Sequence, residues 1–104
     1  MNTIAKIGHR VELECSTSAT APLIWRFKGV NSTRFEDIYL NGQISQKFSS
    51  TYKVNTSMNG RWNLIIDSVA VAQAGTYRCE NAETYVPQAI VMKASAELIV
   101  IGKF

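Results

Sequence analysis

Ala74-Gly75-Thr76-Tyr77-Arg78-Cys79 is the stretch on which the reading of this chain turns. It reads as the start of a strand and contains one of the chain's only two cysteines. The other cysteine ends the run Gly8-His9-Arg10-Val11-Glu12-Leu13-Glu14-Cys15. There Val11, Leu13 and Cys15 face one way and Arg10, Glu12 and Glu14 face solvent, the alternation of a half-buried strand. Two cysteines far apart in a short chain of strands read as one bridge pinning two packed sheets. The competing reading is two free buried thiols in a reducing compartment. Zinc is excluded, because two cysteines and the single His9 supply too few ligands.

Outward from these two runs the pattern repeats. Leu23-Ile24-Trp25-Arg26-Phe27-Lys28 puts Leu23, Trp25 and Phe27 inward, and Ile24, Arg26 and Lys28 outward. Residues 29–36 read as a turn region. Asp37-Ile38-Tyr39-Leu40 and Gln43-Ile44-Ser45 flank Asn41-Gly42, a strong hairpin signal because both residues tolerate positive φ. Tyr52 to Thr56 and Arg61 to Ile66 flank a second such pair, Asn59-Gly60. The alanine-rich stretch before Gly75 favours one helical turn. Ala89 to Val100 reads as the last strand, with Ala96, Leu98 and Val100 inward. Short strands separated by turn signals predict an all-β sandwich in one domain spanning 1–104, with its core in 8–100.

Cys15, Trp25, Leu64, Ile66, Val69, Gly75, Tyr77 and Cys79 together resemble the immunoglobulin superfamily. The resemblance runs from Gly8 to Val100. It implies a disulfide between strands B and F, Cys15 to Cys79, packed against a core tryptophan on strand C, Trp25. It makes Tyr77 a tyrosine corner and places Leu64 and Ile66 in the core. The two segments around Asn41-Gly42 correspond to strands C′ and C″, which mark the variable (V) type. Two departures stand out. Gln73 occupies a position that is usually acidic, which removes the expected partner of Lys53. The last strand, Met92-Lys93-Ala94-Ser95-Ala96-Glu97-Leu98, lacks the Phe-Gly-X-Gly bulge of antigen-receptor domains. The chain therefore looks like a V-type or intermediate module of an adhesion molecule, innate receptor or receptor kinase, not a rearranging antigen receptor.

At 104 residues the chain is large enough for one core and small enough to profit from a staple. Closing so long a loop stabilises the fold by about 4 kcal/mol in the chain-entropy model. The bridge implies an oxidising, extracellular or secretory compartment. No stretch has the length of a membrane-spanning helix, and Met1-Asn2-Thr3 lacks the charged and apolar regions of a signal peptide. That start fits a domain cut from a larger, membrane-anchored ectodomain. The net charge of +3 is modest and the basic residues are dispersed, which argues against nucleic-acid binding.

Catalysis has no constellation to rest on. His9 stands alone at a strand entry, the carboxylates are scattered, and no glycine loop cradles phosphate. No cofactor or metal is expected. Asn31-Ser32-Thr33 and Asn55-Thr56-Ser57 are N-glycosylation acceptors, expected in a turn and on the outward side of a strand. The resemblance implies that the face of strands C, C′, F and G pairs with protein partners. That face is expected to carry Ile24, Arg26, Lys28, Tyr39, Arg78 and Glu80, with Ile38 or Leu40 according to register. The F–G loop, with Glu83, Thr84, Tyr85 and Val86, is a second candidate, since tyrosine offers contact area at low entropic cost. The implied function is an extracellular recognition module that binds protein, including a weak homodimer of itself. The alternative is a structural or ligand-binding module in the ectodomain of a receptor tyrosine kinase.

Overall fold

The computed structural model describes residues 2–15, 23–40, 42–55, 62–82 and 90–102, and their side chains except at 81–82 and 90–94. Among these residues nine strands form: β1 (Asn2–Lys6), β2 (Val11–Leu13), β3 (Leu23–Gly29), β4 (Glu36–Leu40), β5 (Gln43–Ile44), β6 (Tyr52–Asn55), β7 (Asn63–Ile66), β8 (Gly75–Ala82) and β9 (Ile90–Ile101). One sheet has the order β1-β9-β8-β3-β4-β5, the other β2-β7-β6. This is the V-type sandwich, with β4 and β5 as C′ and C″. Leu40 pairs with Gln43 across a two-residue turn in which Gly42 takes φ +80°, a left-handed conformation that glycine adopts without steric cost. β6 and β7 pair antiparallel, Tyr52 opposite Ile66, and the Asn59-Gly60 turn between them lies outside the described residues.

The alternating pattern did not disclose β1. It runs parallel to β9, from Asn2 opposite Glu97 to Lys6 opposite Ile101, and buries only Ala5. Parallel pairing joins strands distant in sequence, so no local turn announces it. The chain then changes sheets at Gly8, whose φ is +89°. Gly8 donates its N–H to the Val69 carbonyl, and Val69 returns one to His9.

Between the sheets, Cys15 and Cys79 are bonded, 64 positions apart in sequence and 6.3 Å between Cα atoms. Trp25 packs in the same buried cluster with Leu13, Leu64, Ile66, Val69, Tyr77 and Leu98. Its indole N–H donates to the Trp62 carbonyl at 2.7 Å, so burying the ring orphans no donor. The β2–β7 ladder ends at Leu13. Beyond it a side chain takes over: Asn63 accepts the Cys15 N–H through Oδ1 at 3.1 Å and donates through Nδ2 to Glu12 at 2.7 Å. Asn63 is buried on the outward side of its sheet and acts there as a substitute rung.

Tyr77 donates its hydroxyl proton to the Gln73 carbonyl at 2.6 Å. It has one proton to give, so the 2.7 Å contact with Tyr52 must be a donation from Tyr52 to Tyr77. Phe27 stacks on the Tyr77 ring at 4.7 Å. Upstream, Gln73 closes the 3₁₀ turn Val71–Gln73 by accepting the Ala70 N–H through Oε1 at 2.7 Å. This corrects one reading of the sequence. Gln73 does not leave Lys53 unpartnered, because Lys53 Nζ lies 2.8 Å from Asp67 Oδ2. That ion pair holds the exposed Asp67 carboxyl below its ordinary pKa.

Two measurements test the tyrosine chain. Tyr77→Phe leaves the Gln73 carbonyl and the Tyr52 hydroxyl without partners, and is expected to cost about 1–3 kcal/mol; Tyr52→Phe removes only a donor and costs about 1 kcal/mol or less. Burial also pushes the Tyr52 hydroxyl up to about 12, from 10.0. The folded state then holds a proton that the unfolded chain releases, so this stabilisation is complete below pH 10 and is lost between pH 10 and about 12. Denaturant titrations across that range should show stability falling, and falling less steeply in Tyr52→Phe.

Candidate recognition face

The outward side of the six-stranded sheet takes its residues from four strands. β3 contributes Ile24, Arg26 and Lys28, and their direct neighbours on β8 are Glu80, Arg78 and Thr76. Farther along, Arg78 lies opposite Ser95 and Thr76 opposite Glu97 of β9, with the Thr76 hydroxyl donating to Glu97 at 2.6 Å. On the other side Arg26 faces Asp37 of β4.

β4 is where strict alternation misleads. Trp25 pairs with Tyr39 but Arg26 with Asp37, so Ile38 is an extra residue in a β-bulge. Past the bulge both Ile38 and Tyr39 are buried in the core cluster, and burial raises the Tyr39 pKa. Neither stands on the face expected for it. Ile24 does sit on the outward side, but only 4% exposed, covered by the domain itself and opposite the equally buried Glu80. The apolar centre expected from Ile24 and Tyr39 is thus consumed by the fold, leaving Leu40 as the exposed aliphatic residue of that set, at 40%.

Charge occupies the centre instead. Arg26 and Arg78 lie directly opposite each other, a repulsive arrangement for like charges. Arg26 Nε is neutralised by Asp37 Oδ1 at 3.0 Å and Glu80 Oε1 at 3.2 Å. The contact with Glu80 is ionic, without a well-aligned hydrogen bond at either atom. Arg26 is therefore committed to holding a buried carboxylate. Arg78 is not: its guanidinium lies 4.5 Å from the centroid of Phe35, and Lys28 Nζ lies 5.4 Å from the same ring. Among the described residues neither cation forms an ion pair. Phe35 was not singled out in the sequence because it stands in the turn region before β4, outside any alternation. An aromatic residue in so polar a stretch was the available signal.

The other candidates are dispersed. Asn31 is exposed in the turn after β3, and Asn55 is half-buried at the end of β6. Glu83, Thr84, Tyr85 and Val86 lie outside the described residues. Among the described residues no cluster of histidine, cysteine and carboxylates is placed to hold a metal, and no helix is long and apolar enough to cross a membrane.

The two arginines should separate cleanly by mutation. Arg26→Ala strands the Glu80 carboxylate and is expected to cost about 2–3 kcal/mol, below the fully buried case because Arg26 is partly solvated. Arg78→Ala should stay within about 1 kcal/mol of wild type. Urea denaturation of both variants measures the difference.

Comparisons with known proteins agree with this geometry. No curated protein matches the chain by sequence. Among solved structures, one similar chain comes from a study described as the structural basis of T cell specificity and activation by the bacterial superantigen toxic shock syndrome toxin-1. It superposes with a TM-score of 0.79 over 96% of this chain and 92% of its own length, at 15% identity, a likeness of fold alone. The model of the immunoglobulin V-set domain matches residues 2–100. With the two-sheet order, the bridge and that match in hand, the chain belongs to the immunoglobulin V-set family, whose domains are protein-recognition modules, usually extracellular and typically without enzymatic activity.

Proposed function

We propose that this domain serves a cell-surface adhesion or immune-type receptor, and that it binds protein through the outward face of β4, β3, β8 and β9. The observation that carries this reading is Phe35, half-buried beneath two cations that no carboxylate of the described residues neutralises. Aromatic and arginine side chains are enriched where binding energy concentrates at interfaces. A partner carboxylate reaching Arg78 gains a charge-assisted bond, and its neighbouring apolar atoms cover Phe35.

Self-association is the form of this recognition that can be tested without a known ligand. The face carries Lys28 and Arg78 and, beside them, Asp37, which stays 44% exposed while it pairs with Arg26, so a two-fold contact can set opposite charges against each other across its axis. Its apolar part is Phe35 and Leu40. A contact of this kind buries roughly 1,200–1,600 Å² in total. The spacer reading, a module in a receptor tyrosine kinase ectodomain, draws its support elsewhere, from Ile4, Ile7 and Ile101, exposed along β1 and the end of β9.

Sedimentation over a dilution series is the test, with Arg78→Glu and a control, Arg10→Glu, on the opposite sheet. A dimer in the micromolar range is expected, loosened about tenfold or more by Arg78→Glu, a change of about 1.4 kcal/mol, and not by the control. A wild-type monomer at high concentration removes the homophilic form and leaves the face to another protein. A dimer indifferent to Arg78→Glu rejects this face.

A further inference from the structure

Where Gly29 of β3 meets Gly75 of β8, the six-stranded sheet ends in an open groove of about 790 Å³. Its walls include Val30, Val71 and Ile99, which are 73%, 64% and 43% exposed. Three large aliphatic side chains bared around one concavity form a contiguous apolar surface of the kind that marks a contact site. Its rim is polar: Asn31, Ser32 and Glu97 also line it.

Asn31 is the asparagine of the acceptor triplet Asn31-Ser32-Thr33. The turn that presents it is held by the Ser32 N–H donating to the Gly29 carbonyl at 3.0 Å. It is held again by the Ser32 hydroxyl, which accepts the Arg34 N–H at 3.2 Å. Asn31 lies inside that turn, exposed, and at the groove's edge. We propose that Asn31 carries an N-linked glycan whose first sugars lie in this groove, covering Val30, Val71 and Ile99. The inference rests on the secretory-pathway part of the proposed function and not on its recognition face.

The transfer is ordinary displacement chemistry. Asn31 Nδ2 attacks the anomeric carbon of a lipid-diphosphate-linked oligosaccharide on a host glycosyltransferase. The carbon–nitrogen bond forms, the anomeric carbon–oxygen bond breaks, the lipid diphosphate departs, and Nδ2 yields one proton to a base. Once attached, the sugars are tethered beside the groove at high effective concentration, so weak contacts suffice to seat them. A pyranose ring presents a C–H face, which packs on the valines, and a hydroxyl edge. Glu97 lines the groove, and with its Oε1 accepting from the Thr76 hydroxyl its second carboxylate oxygen is the acceptor it can offer to that edge.

The test is secretion of six proteins from a eukaryotic line: wild type, Thr33→Ala, Val71→Ser, the double variant of these two, Asn31→Gln and Asn55→Gln. Thr33→Ala abolishes the acceptor while keeping Asn31 itself and the net charge of the chain. Intact mass should show a glycan increment that Thr33→Ala and Asn31→Gln remove and Asn55→Gln does not. Loss of the seated glycan should lower Tm by about 4 °C in the Val71 background and by less than half that in the Val71→Ser background. The same substitution in protein from bacteria, which carries no glycan, should leave Tm unchanged. A secreted, disulfide-bonded protein with no increment at Asn31 overturns this inference and leaves the proposed function standing. A glycan whose loss leaves Tm unchanged, or lowers it equally in both backgrounds, overturns the seating.

Discussion

Everything else in this domain hangs on the packing of Trp25 against the Cys15–Cys79 bridge, between two sheets that no backbone ladder joins among the described residues. The bridge ties the end of β2 to the middle of β8 and shortens the unfolded chain's freedom by its long closed loop. Trp25 fills the space beside it and sends its N–H to the Trp62 carbonyl across the sandwich. Trp62 in turn donates its own backbone N–H to the Cys15 carbonyl, and Asn63 holds the Cys15 N–H. The bridge is thus enclosed by polar contacts that leave both partners of each bond satisfied, which is what permits so many amide groups near an apolar core.

How legible this was depended on the range of the interactions involved. The apolar faces of the strands follow from residue type and local alternation, while the place of the bridge against Trp25 and the corner role of Tyr77 follow from the resemblance to the immunoglobulin superfamily. β1 escaped because its partner, β9, lies at the other end of the sequence and pairs in parallel. Ile38 and Tyr39 were misplaced because a bulge inserts one residue, and after one inserted residue a two-residue period points the wrong way. Ile24 followed the period and was still buried, since the alternation says which side a residue faces and not what lies over that side. Phe35, now the centre of the candidate face, belongs to no strand and had no pattern to betray it.

The recognition face shows how one sheet surface divides its charges between two roles. Arg26 is spent internally: with Glu80 buried beside it and Asp37 closing the third side, it neither repels Arg78 nor reaches outward. Among the described residues, that internal neutralisation leaves Arg78 and Lys28 as the cations of this face with unspent charge, and the Phe35 ring lies against both without cancelling it. A count of arginines and lysines on this face would treat all three alike.

The parallel pairing of β1 with β9 also fixes how the domain answers a mechanical pull. The chain enters β1 at Asn2 and leaves β9 at Ile101, and the two strands point the same way. Tension applied at those two points drags the strands past each other along their axes, so the bonds of the whole pairing are strained together and not opened one after another. Beyond that barrier the covalent link from Cys15 to Cys79 keeps the enclosed loop from paying out. The domain is built to yield abruptly and then to extend only by the residues that lie outside that loop.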